Sequence, residues 1–301
     1  MTTIRSFLFV PASRVDRFEK ALDSEADAVV IDLEDAVPTD AKASARDDLC
    51  DWLESHQEDK AEILKKTWVR INPLHSPWGH DDIDALSDFH LAGWVLPKAE
   101  SPYDVEQVVN LKPKRTQLAL LIESAAGMAH ARLLAATEGV NRLMFGTLDF
   151  QRDLNMHCDA LETQLDSFRA ELTLASRLAG LEAPVDGATP STTDIELVQA
   201  AVARARAFGF GAKLCIHPRQ VAAVNQAFLP TDKEYDWAQR VMQANKKHRG
   251  GAFAVDGKMV DAPVIRLAEQ IIATYQAAEQ AAAQRKEQDP GDELADRSLL
   301  L

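Results

Sequence analysis

Cysteine is scarce in this chain of 301 residues: Cys50, Cys158 and Cys215 are widely spaced and odd in number. They make no metal-finger or disulfide pattern, so a reducing cytoplasm is the expected setting. No run of about 18 apolar residues occurs, and no membrane span is expected. The opening Met1-Thr2-Thr3-Ile4-Arg5-Ser6 has no basic, long-apolar, small-residue signal layout. Basic residues are outnumbered, 33 against 47 acidic ones, for a net charge of −14. That balance argues against a general nucleic-acid-binding surface. It leaves room for a phosphorylated ligand on a local Arg/Lys cluster, and it favours a metal ion at an acidic site. No Gly-x-Gly-x-x-Gly lies between a strand and a helix, which weakens a dinucleotide-binding reading. No short internal repeat is evident.

Short β-branched and aliphatic runs are plentiful. Eight read as strands: Phe7 to Pro11, the stretch Ala28 to Val37, Trp68 to Pro73, Gly93 to Lys98, Gln117 to Ser124, Arg142 to Gly146, a weak one at Ala183 to Gly187, and Gly211 to Pro218. Helical spacing separates most of them, as at Val15 to Leu22, Asp40 to Glu54, Gly127 to Thr137 and Leu161 to Leu181. Ser101-Pro102 reads as a helix start, and Thr193 to Glu196 as a capping box. Eight alternations over about 220 residues predict a (β/α)8 TIM barrel, class α/β. A doubly wound sheet is the competitor.

A C-terminal helical extension is expected after the barrel, giving residues 1–228 and 229–285. It opens with a second capping box, Thr231 to Glu234. Asp256-Gly257 marks a hairpin, and Pro263 to Arg285 a long Ala-rich helix. Residues 286–301 are expected to fray.

One strand is unusual. Ala28-Val29-Val30-Ile31 runs straight into Asp32-Leu33-Glu34-Asp35. Carboxylates that close repel one another and are costly to bury. A cation is therefore expected over this strand end: a metal ion, an arginine, or both. In a barrel, catalytic groups sit at the C-terminal ends of strands. Those ends carry Pro11 to Arg14, Asp32/Glu34/Asp35, Arg70/Asn72, Lys98, Glu123, Asp149, Asp186 and His217.

Glu123 and Asp149 follow neighbouring strands and could share a hard divalent cation such as Mg²⁺, or merely cap helices. The Arg70 fork suits a carboxylate or enolate oxygen, or an ion pair with the acidic strand end. Both uses are compatible. Arg5, Arg14, Arg17 and Lys20 could hold phosphates near the rim, although solvation explains Arg17 and Lys20 better. Lys98 is a better ion-pair partner than Schiff-base amine amid so many acids. His217 divides evenly between contacting a ligand and a structural role. His75 and His80 lack further ligands for zinc.

Together these segments resemble the citrate lyase beta subunits and the malyl-CoA and citramalyl-CoA lyases, within the wider HpcH/HpaI aldolase group. The matching motifs are Phe7 to Ala12, Ile31 to Val37, Arg70-Ile71-Asn72, Leu96-Pro97-Lys98 and Ile122-Glu123-Ser124. Phe145-Gly146 with Asp149-Phe150, Ile216-His217-Pro218 with Gln220, and Asp256 to Asp261 with Pro263 complete the set, in the family's order over residues 4 to 275. The resemblance implies a Mg²⁺-dependent barrel, with Mn²⁺ as a possible substitute, working as a homotrimer or hexamer. It implies cleavage or formation of a 3-hydroxyacyl-CoA, giving acetyl-CoA and a small oxo-acid. Glu123 and Asp149 would be the metal ligands, and Arg70 would bind the oxo-acid oxygens. Asp32, Glu34 and Asp35 would orient metal-bound waters and the arginines. Asp261 would act as acid/base group in a neighbouring subunit. An oxo-acid aldolase, a thioesterase and a non-catalytic subunit of a citrate lyase-type complex are the alternatives. One departure stands out: Asp153-Leu154-Asn155-Met156 has Asn where relatives often carry Gly, near the rim, and predicts a different pocket there.

Overall fold

The computed structural model describes residues 4–56, 61–248 and 252–288. The chain divides into two compact units, one through Phe228 and one from Leu229.

In the first unit eight parallel strands close into a barrel in sequence order. They are β1 (Ser6–Pro11), β2 (Ala28–Asp32), β3 (Thr67–Arg70), β4 (Gly93–Leu96), β5 (Gln117–Ile122), β6 (Arg142–Phe145), β7 (Val185–Asp186) and β8 (Ala212–Cys215). Helices carry the chain across between parallel neighbours, and a last one follows β8. These are α1 (Phe18–Leu22), α2 (Lys42–Glu54), α3 (Ala61–Leu64), α4 (Gly79–Leu86), α5 (Pro102–Leu111), α6 (Ala125–Ala129), α7 (Ala131–Ala135), α8 (Thr147–Asp153), α9 (Asp166–Leu178), α10 (Ile195–Ala207) and α11 (Pro218–Ala227). The expected barrel is the one observed, and closure rules out the doubly wound sheet.

Each strand is buried on both faces, which is why its sequence shows an unbroken apolar run. Phe7, Val30, Trp68, Val95, Leu121, Met144, Val185 and Leu214 form one cluster. Their neighbours Val29, Ile31, Val69, Leu96, Ile122, Phe145 and Cys215 pack in another, with the helices. The first set fills the barrel and the second faces outward. Trp68 dominates the filling and meets Phe7 edge-on at 5.3 Å. A Cβ on Gly93 would lie 2.3 Å from the Trp68 ring, so only glycine fits the adjoining strand. Gly93→Ala is expected to destabilise the barrel by about 1–3 kcal/mol through overpacking. Urea unfolding measures this, and an unchanged midpoint would show that the Trp68 ring has room to move.

The N-terminal end of the barrel is closed by charge. Arg142 is buried there and donates to the carbonyls of Ala183 (2.6 Å) and Ile4 (3.2 Å). Arg5 sits just before β1 and bonds Asp27, just before β2, through its Nε at 3.1 Å. Arg5 is therefore not a rim residue for phosphate: it lies at the opposite end from the strand C-termini. Asp186 also departs from expectation. It alternates with the inward Val185, so it points outward and is fully buried against Arg169 of α9 (2.8 Å) and Lys213 of β8 (3.2 Å).

Several helix ends differ from the sequence reading for local reasons. Asp159 accepts from the amides of Leu161 and Thr163, and Glu162 has φ of 54°. Those side-chain bonds compete with helix, so α9 starts only at Asp166. Asp194, not Thr193, caps α10, accepting from Leu197 N–H at 2.9 Å.

The second unit holds α12 (Asp232–His248), β9 (Phe253–Val255), β10 (Lys258–Val260) and α13 (Ala262–Gln288). The capping box at α12 is present: Thr231 N–H donates to Glu234 Oε2 at 2.7 Å, and Glu234 N–H to Thr231 Oγ1 at 3.3 Å. β9 and β10 form the expected hairpin, with φ of 50° at Asp256 and 76° at Gly257. Positive φ at both central residues is what a two-residue I′ turn requires. Of the segment expected to fray, 286–288 end α13 and 289–301 lie outside the described residues.

Candidate active site

The inward positions of three strands change character one step above the apolar filling. Val30 is followed two residues on by Asp32, Trp68 by Arg70, and Leu121 by Glu123. The period of two keeps all three pointing into the mouth of the barrel. Asp32 is 1% exposed, Arg70 8% and Glu123 3%.

Arg70 is held on every side. Its Nε and Nη2 donate to the two oxygens of Asp32, both at 2.6 Å. Its Nη1 lies 2.9 Å from Glu34 Oε2, and its guanidinium covers the Phe9 ring at 5.1 Å. Burial opposes the charge, but Asp32 and Glu34 outweigh it and raise the Arg70 pKa further. The ion-pair reading of Arg70 is the one observed. The ion pair fixes the fork, and the remaining Nη1 and Nη2 hydrogens are left for a ligand.

Asp32 also accepts from the amides of Glu34 (2.9 Å) and Ala36 (3.1 Å). A carboxylate offers about four lone-pair directions, and all four are used. Of the two parts expected of Asp32, holding the arginine is the one this geometry displays.

Glu34 is 3% exposed. Its Oε1 accepts from the Lys98 ammonium, while Oε2 is buried without a hydrogen bond. Burial pushes its carboxyl pKa up, against the pull of Arg70 and Lys98. Asp35 is half in solvent, 3.8 Å from both Arg70 Nη1 and Lys98 Nζ.

Lys98 takes a left-handed backbone, φ of 48°. That twist sends its N–H to Glu123 Oε1 at 2.7 Å while its side chain reaches Glu34. Burial works against its charge, but the Glu34 hydrogen bond and the surrounding carboxylates raise its pKa overall. A protonated amine in an ion pair is no Schiff-base nucleophile.

Glu123 is the group most in need of a cation. Burial first, and then the charge of Glu34, push its pKa to about 8. Among the described residues, the hydrogen bond to its side chain comes from a backbone amide. Gly146 is pressed against it: an added Cβ would sit 2.7 Å from Oε2. Asp149 follows three residues later, half-buried in the first turn of α8. Among the described residues, no three His, Cys, Asp or Glu side chains converge as a protein-only metal cage. Mg²⁺ commonly takes one or two carboxylates and fills its shell with water and substrate oxygens. A buried carboxylate that resists ionisation gains most from such a cation, so the chemistry of Glu123 suits the ion, and Asp149, just past the neighbouring strand β6, is a second carboxylate of the kind it takes.

The remaining expected residues are scattered. Arg14 lies just past β1 near the rim, half-buried, with its fork on Asp16 at 2.8 and 2.7 Å. His217 caps α11: its Nδ1 accepts from Arg219 N–H at 3.1 Å, and Gln220 completes the box. Asp261 lies in the second unit directly after β10, where its carbonyl accepts the Ile265 amide of α13. Asn155 stands at the C-terminal end of α8. Its φ is 52°, and the Met156 and Asn155 amides bond back to Gln151 and Arg152. That is a Schellman ending to α8, and Asn is the residue that best replaces Gly at positive φ. Two buried groups escaped the sequence reading, Lys42 and Asp82. Asp82 accepts from both nitrogens of Asn72, at 2.8 and 2.7 Å. Its only signal was an acidic position in the first turn of a helix.

Residues 5–218 match the HpcH/HpaI aldolase/citrate lyase family. The chain belongs to this family. Residues 170–277 also match the carbon–carbon bond lyases of the TIM-barrel fold. A citrate lyase subunit beta-like protein of Deinococcus radiodurans is 36% identical over 89% of this chain and 96% of its own length. A (3S)-malyl-CoA thioesterase of Cereibacter sphaeroides is 33% identical over 91% of this chain and 95% of its own. The crystal structure of protein CitE from Mycobacterium tuberculosis in complex with magnesium, acetoacetate and coenzyme A is 32% identical. It has a TM-score of 0.80 and covers 91% of this chain and 99% of that one. Among the described residues, no helix is long and apolar enough to cross a membrane.

Proposed function

We propose that this family member is a Mg²⁺-dependent carbon–carbon lyase that cleaves or forms a 3-hydroxyacyl-CoA such as malyl-CoA or citramalyl-CoA. The observation that carries this reading is the pairing of a caged arginine with a buried, cation-seeking carboxylate at one barrel mouth. Glu123 and Asp149 would hold Mg²⁺, which would supply positive charge to the oxo-acid half. The free hydrogens of Arg70 bind oxygens of the same half or the developing enolate. Asp32 and Glu34 keep that fork from turning. In the cleavage direction a base takes the hydroxyl proton and the bond to the thioester α-carbon breaks. The hydroxyl carbon becomes the oxo-acid carbonyl, and the bond electrons pass to the thioester as its enolate. Asp261 of a neighbouring subunit returns a proton to the α-carbon, giving acetyl-CoA from malyl-CoA. This role for Asp261 requires a homotrimer or hexamer, and we place the enzyme in the cytoplasm. Arg14 and His217 at the rim are the proposed contacts for the thioester.

A screen of malyl-CoA, citramalyl-CoA and free hydroxy-oxo acids with Mg²⁺ tests the reading. Release of acetyl-CoA plus an oxo-acid supports it, whereas turnover of free acids alone identifies an aldolase. The similarity to a (3S)-malyl-CoA thioesterase supports a second reading, in which water takes the acyl group. Its product would be free CoA with the hydroxy-diacid intact. Inert protein that gains activity with an added acyl carrier protein would identify a lyase-complex subunit.

The raised Glu123 pKa adds a proton test. At pH 7 a carboxyl with a pKa of about 8 is mostly protonated, so Glu123 must shed that proton to bind the ion. Titration with Mg²⁺ is expected to release roughly 0.9 proton at pH 7 and roughly 0.1 at pH 9. Calorimetry in buffers of different ionisation heat counts these protons. A count near zero at both values removes Glu123 from the metal site.

A further inference from the structure

Lys42 breaks three ordinary rules at once. It is the first residue of α2, at the positive end of a helix dipole, where a cation is disfavoured. It is only 7% exposed, and lysine is seldom buried unpaired. Its ammonium bonds no carboxylate among the described residues. Instead it donates to two backbone carbonyls, Leu33 at 2.9 Å and Glu34 at 2.8 Å, with the Trp78 ring 5.3 Å away. Burial lowers its pKa, and the charges of Glu34, Asp32, Asp82 and Asp35 act against that. A residue this costly is kept where the surrounding structure uses it.

What it holds is the acidic turn itself. Leu33 and Glu34 lie between Asp32 and Asp35, and their side-chain neighbours grip Arg70 and Lys98. Leu33 carbonyl is shared with Asn72 Nδ2 at 3.0 Å, and Asn72 is held by Asp82, which Arg46 reaches at 3.2 Å. The turn is thus clamped from behind by its carbonyls while its carboxylates face the site. Without the ammonium, two buried carbonyls lose a charge-assisted partner. The turn carrying Asp32 and Glu34 is then free to shift.

We propose that Lys42 is a positioning residue for the reaction: it fixes the Leu33 and Glu34 backbone so that Asp32 and Glu34 hold Arg70 and Lys98 in working geometry. The proposal rests on the lyase reading above. It acts through Arg70 and not through Glu123 or Asp149, so its signature is separable from loss of metal.

The test uses Lys42→Met and Lys42→Gln in the full chain, the latter retaining an N–H donor. Both are expected to lower kcat, Lys42→Met by about 10²-fold, since a misplacement of about 1 Å costs that much. The Kd for Mg²⁺ is expected to stay within about threefold of wild type. In an Arg70→Lys background, Lys42→Met is expected to lower kcat by less than about threefold further, because both changes act on one contact. Losses that multiply in the double variant overturn the proposal. So does a kcat within about threefold of wild type, or a failure of both variants to fold, which assigns Lys42 to stability alone. Wild-type turnover tests the lyase reading by itself. If wild type is inert on every thioester, a crystal structure of Lys42→Met, which removes the donor, still decides the matter. Retention of both 2.6 Å Asp32–Arg70 contacts in that variant overturns the role of Lys42.

Discussion

Glu123→Gln is expected to abolish measurable Mg²⁺ binding and to lower kcat by at least about 10³-fold, while the metal-free protein unfolds within about 1 kcal/mol of wild type. The catalytic part follows from charge. A neutral amide is a poor ligand for a hard cation, and electrostatic stabilisation of developing negative charge is commonly the largest single contribution to catalysis. The stability part follows from the raised pKa. With a pKa of about 8, the buried Glu123 is largely neutral at pH 7 without metal. Glutamine has nearly the same shape and charge as the protonated acid, and its carbonyl still accepts the Lys98 amide. Isothermal titration with Mg²⁺, steady-state kinetics and urea melts check the three parts. Normal Mg²⁺ affinity in this variant would move the metal back to the acidic turn after β2. A large loss of stability would instead make Glu123 a structural carboxylate.

Asp32→Asn is expected to do the opposite to the balance of effects. It costs about 3 kcal/mol of stability and about 10²-fold or more in kcat, with Mg²⁺ affinity within about tenfold of wild type. Removing one member of a buried ion pair typically costs about 3–5 kcal/mol, and Glu34 remains beside Arg70 at 2.9 Å, which favours the low end. Both Asp32 oxygens accept two hydrogens each. Whichever oxygen becomes NH₂ then points a donor at two donors, so the clash has no good rotamer. The fork of Arg70 loosens while the ligands Glu123 and Asp149 stay. Equal loss of Mg²⁺ affinity in Asp32→Asn and Glu123→Gln would contradict this division of labour. Unchanged stability would show that the buried pair contributes little.

The barrel was legible because its strands are buried on both faces and its helices on one. Runs such as Ala28 to Ile31 and Leu118 to Ile122 have few other uses, and eight of them in alternation leave one common answer. The hairpin at Asp256-Gly257 and the capping box at Thr231 were legible for a local reason: both are specified within four residues. Where local specification competed, the reading slipped. The turn built by Asp159 delays α9 to Asp166, and Asp194 takes the cap from Thr193.

Within the candidate site, residue type and strand end together pointed to Asp32, Glu34, Arg70, Lys98 and Glu123, which the structure joins in one network of contacts. A strand end alone does not say which way a side chain points. Asp186 looked equivalent to Asp32, yet it is one residue out of phase with the inward set and is neutralised behind the barrel. Arg5 looked like a rim cation because it adjoins strand one, yet it adjoins the wrong end.

The sequence by itself determined the fold class, the family and the residue types gathered at the barrel mouth, because hydrophobic periodicity and strand-end chemistry are written along the chain. Only the tertiary structure decided how those charges share one another. It filled every acceptor site of Asp32, turned the Lys98 backbone so that one residue serves both Glu123 and Glu34, and left Glu123 seeking a cation. It also buried Lys42 behind the acidic turn. Burial and direction set the energy of a charge, and both depend on neighbours that arrive from distant parts of the chain.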